Sequence, residues 1–151
     1  MKSNIVSVMI SIVVLIVSLV VLPTYFKSIE DSRDDAVRVQ NAMRNFLDVC
    51  IDNQCLPEQA IADLNLDLAA CTATYSYTIR RDQKIVTPLA GGGYAISWVT
   101  IDVEPGDNLV QGDFIVIEVK QETLSIYQRL AAILSANSYT EYELCFTAMV
   151  R

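Results

Sequence analysis

Few residues in this chain could do chemistry, and their types limit what that chemistry could be. There are four cysteines, Cys50, Cys55, Cys71 and Cys145, and no histidine. Without an imidazole, a serine or cysteine nucleophile lacks its usual general base, and a zinc site loses its commonest nitrogen ligand. No two cysteines have CxxC spacing. An even set of thiols reads either as two disulfides in an extracytoplasmic domain, the expectation adopted, or as four buried free thiols. Of the three possible connectivities, the preferred one joins Cys50 to Cys55 around Ile51-Asp52-Asn53-Gln54 and Cys71 to Cys145, although spacing by itself leaves the pairing open. The carboxylate pairs Asp34 with Asp35 and Glu141 with Glu143 suit solvated faces better than a glycosidase cleft. Gly91-Gly92-Gly93 has no Lys-Ser or Lys-Thr after it, so it reads as a flexible loop and not a phosphate cradle. Glu104, Asp107, Asn108 and Asp113 surround a Pro-Gly turn. Their spacing departs from the EF-hand loop, and a plain acidic turn is the simpler reading than a calcium site. The expectation is a protein that is not an enzyme and uses no cofactor or metal.

Composition agrees. Over 151 residues, 18 acids against 11 bases give a net charge of −7, which argues against a nucleic-acid partner because phosphate contacts need a basic surface. The mean hydropathy is nevertheless +0.34, and the excess sits in one place. No charged residue occurs from Ser3 to Phe26, and Ile5 to Leu22 is apolar except for Ser7, Ser11 and Ser18. As a helix this run spans a hydrocarbon core of about 30 Å. It is longer than a typical signal-peptide core and no small-x-small site follows it, so it reads as a retained transmembrane anchor. Lys2 lies on the short side, while Lys27 to Asp35 mixes two bases with four acids. That asymmetry favours an N-terminus in the membrane or on the cytoplasmic side and a head domain outside.

Ser3, Ser7, Ser11 and Ser18 fall in one narrow stripe of the anchor helix. Small residues at this spacing let helices approach closely in lipid; the alternative is that each hydroxyl merely bonds its own backbone. Helical spacing then continues through Ile29, Ala36, Val39, Met43, Phe46, Leu47 and Cys50, so residues 4–50 form one helix on the order of 70 Å long, kinked near Pro23. Asp34 and Arg38 make a favourable i,i+4 pair. Asp34, Asp35, Arg38 and Arg44 are candidate charges for setting register between subunits.

Beyond the helix, Leu56-Pro57-Glu58-Gln59 signals a second helix running to about Leu64. Ala73, Tyr75, Tyr77 and Ile79 alternate with polar residues as a half-buried strand. Tyr94–Val103 and Phe114–Val119 are further strands, Leu124 to Leu134 returns to helical spacing, and Tyr142 to Val150 alternates again. The fold class is therefore α+β: a long helix packed on an antiparallel sheet of about four strands. Its parts are residues 1–26 as the transmembrane half of the helix, 27–50 as its amphipathic continuation and 51–151 as an extracytoplasmic head.

Together these features resemble a family. A helix with almost nothing before it, an uncharged membrane stretch, Pro23 followed by Tyr25, an amphipathic continuation and a small sheet domain look like a type IV pilin-like protein. The details Met1-Lys2-Ser3-Asn4-Ile5-Val6, Gln111-Gly112-Asp113-Phe114-Ile115-Val116 and Ala148-Met149-Val150-Arg151 are most similar to the short pilin-like subunits of tight-adherence (Tad) systems of Gram-positive bacteria. Ile5 and Val6 occupy the region where pilins usually carry a glutamate, which favours a minor or Tad-type subunit. The resemblance implies a homo-oligomeric helical filament at the cell surface, membrane storage before assembly, and an assembly ATPase and platform protein as partners. In that reading Ser3, Ser7, Ser11, Ser18 and Pro23 belong to the helix-packing surface. The competing function is a single-pass accessory or binding protein of a secretion, conjugation or adhesion machine that never polymerises.

Overall fold

One helix accounts for the first third of the chain. In the computed structural model, which describes residues 2–135 and 142–151 with side chains from Asn4 onward, α1 spans Lys2–Asn53. Its 52 residues extend about 78 Å at the usual helical rise. The helix continues through Pro23, whose missing N–H leaves the Leu19 carbonyl without its backbone donor. It closes at Gln54, which takes a left-handed backbone with φ of 51°, the conformation that commonly ends a helix.

Along its length α1 changes environment. Every residue from Asn4 to Lys27 is exposed except Val21 and Thr24, which are half-buried. From Ser28 onward one face goes inside: Ser28, Asp31, Asp35, Val39, Ala42, Met43, Phe46, Leu47 and Cys50 are all buried. Ile29, which the spacing placed on the apolar face, is 50% exposed. The buried stripe instead starts with polar residues, because the element packed there presents polar groups of its own.

Helix α2, Glu58–Ala69, buries Ala60, Leu64 and Leu68, successive residues four apart on one face, against α1. It runs past the expected end near Leu64, and Pro57 occupies its N-cap. Four strands follow, β1 Thr74–Pro88, β2 Tyr94–Asp102, β3 Phe114–Thr123 and β4 Glu143–Met149. They form one antiparallel sheet in the order β2-β1-β3-β4, and α3, Ile126–Ser135, lies between β3 and β4 in the chain. The α+β expectation thus holds as one long apolar N-terminal helix and a four-stranded antiparallel sheet.

Strand β1 is much longer than its alternating segment implied. Its first half pairs with β3 from Thr74 to Asp82 and its second half with β2 from Arg80 to Pro88. Backbone pairing thus carries it through Arg81-Asp82-Gln83-Lys84, where hydrophobic alternation fails. Gly92 and Gly93, at φ of 82° and 100°, make the hairpin turn between β1 and β2, a conformation that costs a glycine little. One sheet face, including Tyr77, Ile79, Ile115, Ile117, Val119 and Phe146, closes the core beneath α1 and α2.

The cysteines depart from the expected pairing. All four are free thiols. Cys50 faces the core, where burial and then the neighbouring Cys55 push its thiol up to about 12. Cys71 packs against the same core from the helix side, and burial, followed by Asp35, pushes it up to about 11. Cys145 is exposed and sits opposite Glu118 on β3. Glu118 alternates with the buried Ile117 and Val119, so Cys145 projects from the sheet face turned away from the helices. The sheet itself separates Cys71 from Cys145.

Candidate membrane and assembly interface

The exposed front of α1 is a continuous apolar surface, from Ile5 to Leu22. Its apolar window has a mean hydropathy of 3.2 with 0% of it buried. The helix is long and apolar enough to cross a membrane. Within it the Ser11 hydroxyl donates to the Ser7 carbonyl at 2.9 Å, and Thr24 donates to the Val20 carbonyl at 2.8 Å. Such bonds satisfy a hydroxyl inside lipid without a second helix. Ser7, Ser11 and Ser18 are exposed, leaving a shallow strip where another helix could approach. The side chain of Ser3 lies outside the described residues.

At the end of the apolar run, the Lys27 ammonium lies 3.0 Å from Glu30 and 3.3 Å from Asp31. Hydrogen bonds to these two carboxylates raise its pKa, so it keeps its charge where the helix turns polar. Of the charges expected to set subunit register, Asp34, Arg38 and Arg44 are exposed. Asp34 and Arg38 line an open groove between α1 and α2 with Arg33, Asn41 and Asp67, and Arg44 projects about 120° around the helix from Arg38.

Asp35 has a different role. It is 2% exposed and accepts three hydrogen bonds, from the Thr72 N–H at 2.8 Å, the Thr72 hydroxyl at 2.9 Å and the Ala73 N–H at 2.9 Å. These groups belong to the two residues that lead into β1, so the carboxylate ties the start of the sheet to α1 inside the subunit. Sequence reading missed this, yet a signal was present: Asp35 falls four residues before Val39 and eight before Met43, on the buried stripe.

A second polar connection holds α3. Gln128, 1% exposed, donates through Nε2 to the Ser32 hydroxyl at 2.6 Å and accepts through Oε1 from the Ser125 N–H at 2.8 Å and Gln121 Nε2 at 3.2 Å. The acidic turn is likewise structural. Asp107 accepts from the Glu104 N–H at 2.9 Å, whereas Asp113 turns inward, 3.6 Å from the Arg81 guanidinium. Among the described residues no group of three or more His, Cys, Asp or Glu side chains could hold a metal ion. Glu141 lies outside the described residues.

The outer face of the sheet carries a smaller apolar patch. Val86, Tyr94, Ile96 and Trp98 are exposed, and the Trp98 ring packs on Phe114 with centroids 5.2 Å apart. Arg80 pairs with Glu118 beside it. Beyond Asp82 this part of the sheet is a two-stranded ribbon, since β3 pairs with β1 no further.

Comparison of the chain with family models, curated proteins and solved structures finds no match.

Proposed function

We propose that this protein is a membrane-anchored, pilin-like structural subunit that assembles through its N-terminal helix into a type IV pilus-like or Tad-like filament with the sheet domain displayed outside the cell. One observation carries the reading: a single helix buries one face of its second half against α2, α3 and the sheet while, among the described residues, 4–20 are exposed. An apolar helix of that kind needs lipid or other copies of itself, and a filament exchanges the first for the second. Assembly transfers Ile5 to Leu22 from bilayer to a helical core, with Ser7, Ser11 and Ser18 permitting close approach. Asp34, Arg38 and Arg44 then select register more than they stabilise, because exposed ion pairs contribute about 0–1 kcal/mol. The chain's work in this scheme is positional and not catalytic, and an assembly ATPase and platform protein extract it from the membrane.

Electron microscopy of the sheared cell-surface fraction, with immunodetection of this chain, tests the proposal. Filaments containing the protein are expected, and paired Ser7→Leu and Ser11→Leu substitutions should abolish them while leaving membrane insertion intact. Recovery of the protein only from membranes while the assembly machinery is active refutes polymerisation. The internal bond from Ser11 to Ser7 favours the second reading, a single-pass accessory protein whose helix stays in lipid, and that result would select it.

A further inference from the structure

Helix α3 is built inside out. Ile126, Tyr127, Leu130, Ile133 and Leu134 are 74%, 42%, 43%, 75% and 49% exposed, whereas Gln128 and Ala131 are 1% and 8% exposed. The exposed residues follow i, i+1, i+4, i+7 and i+8 spacing, one continuous arc of about 120°. A helix on a water-facing surface has the opposite arrangement. Gln128 is tolerated inside because Ser32, Ser125 and Gln121 satisfy it, so the apolar arc points outward by construction.

Position identifies what meets that arc. The Gln128–Ser32 bond docks α3 six residues past Phe26, about 9 Å along α1 from the end of the uncharged run. The face of α1 that receives α3 at Ser32 also carries the buried Ser28 and Asp31 and continues toward the N-terminus as Thr24 and Val21, the two half-buried residues of the apolar half. Helix α3, with its arc on the side away from Gln128, is therefore docked beside the point where the anchor leaves the bilayer. Its flank suits a headgroup layer: α3 contains no acid, one arginine, Arg129, and a tyrosine.

We propose that α3 is an interfacial helix whose apolar arc rests on the lipid surface from which α1 emerges, giving the head a second contact with the membrane. This rests on the reading of α1 as a membrane anchor, though not on polymerisation.

The test uses the full chain in phosphatidylcholine–phosphatidylglycerol vesicles. Trp98, the one tryptophan, is replaced by Trp98→Phe, and a reporter is introduced singly as Ile133→Trp, Ile126→Trp or Leu15→Trp. All three sites are more than half exposed, so the new ring displaces no packed neighbour. Lipids brominated near the glycerol end of the acyl chains should remove roughly half the emission at positions 126 and 133, the depth of an interfacial helix, and lipids brominated near the chain terminus should quench position 15. Quenching at 15 with none at 126 and 133 overturns the interfacial helix and leaves the anchor intact. No quenching at 15 overturns both. Emission at 133 that is blue-shifted with protein concentration yet insensitive to bromine means that a second copy covers the arc, and it also refutes the lipid contact.

Discussion

Replacing Asp35 should damage the fold more than replacing any other charge on α1. Its carboxylate accepts three hydrogen bonds of 2.8, 2.9 and 2.9 Å at 2% exposure. A hydrogen bond to a charged group contributes about 1.5–3 kcal/mol. The three are not additive, since they share one carboxylate, and Asp35→Ala also leaves the buried Ala73 N–H without its acceptor. The alanine leaves neutral donors and no buried charge, so the expected loss is that of the shared hydrogen bonds and the stranded N–H, about 3 kcal/mol. Asp35→Asn keeps one acceptor oxygen but turns an NH2 group toward a donor, so it should lose about 1–3 kcal/mol. The control is next door: Asp34 is exposed, and Asp34→Ala should stay within about 0.5 kcal/mol of the parent. Urea unfolding of the full chain in detergent micelles, followed by Trp98 fluorescence and extrapolated linearly, measures all three. If Asp35→Ala and Asp34→Ala have unfolding free energies within about 0.5 kcal/mol of each other, the junction between α1 and β1 does not depend on this carboxylate.

Ile117, 0% exposed at the centre of the sheet, should lose about 2–5 kcal/mol as Ile117→Ala; a change under about 1 kcal/mol in the same urea assay would mean the sheet is not packed beneath α1 as described. Thiol reactivity should separate the cysteines, since the exposed Cys145 should alkylate first at pH 8 and Cys50 last; mass mapping in which Cys50 reacts as fast as Cys145 rules out its burial. Because the folded Cys50 thiol is raised from 9.0 to about 12, its contribution to stability is fully present below pH 9 and is lost as the pH climbs toward 12, when the unfolded thiol ionises first. Cys50→Ala should flatten the stability profile between these limits, and an unchanged alkaline slope would assign it to other groups.

The features carried by local pattern were legible in the sequence. An uncharged run of this length is long and apolar enough to cross a membrane as a helix, and its continuation at three- and four-residue spacing places Val39, Met43, Phe46 and Cys50 inward whatever lies against them. Alternation found the β3-paired half of β1 and the last strand, β4, because each strand face is set by a two-residue period, and β-branched and aromatic-rich runs found β2 and β3. What needed the tertiary structure was every question of which partner lies opposite. Asp34 and Asp35 are adjacent and chemically identical, yet one faces solvent and the other caps the start of β1, because only Asp35 is beneath Thr72 and Ala73. Cys71 and Cys145 looked pairable until the β3–β4 register put Cys145 on the far side of the sheet. The helical spacing from Leu124 to Leu134 located α3, but the spacing alone implies an apolar face turned inward. The fold reverses it, since Ser32 and Gln121 offer Gln128 hydrogen bonds that no apolar side chain could accept. Periodicity is a property of neighbours in the chain and survives in the sequence, whereas the satisfaction of a buried polar group depends on residues tens of positions away and exists only once the chain has folded.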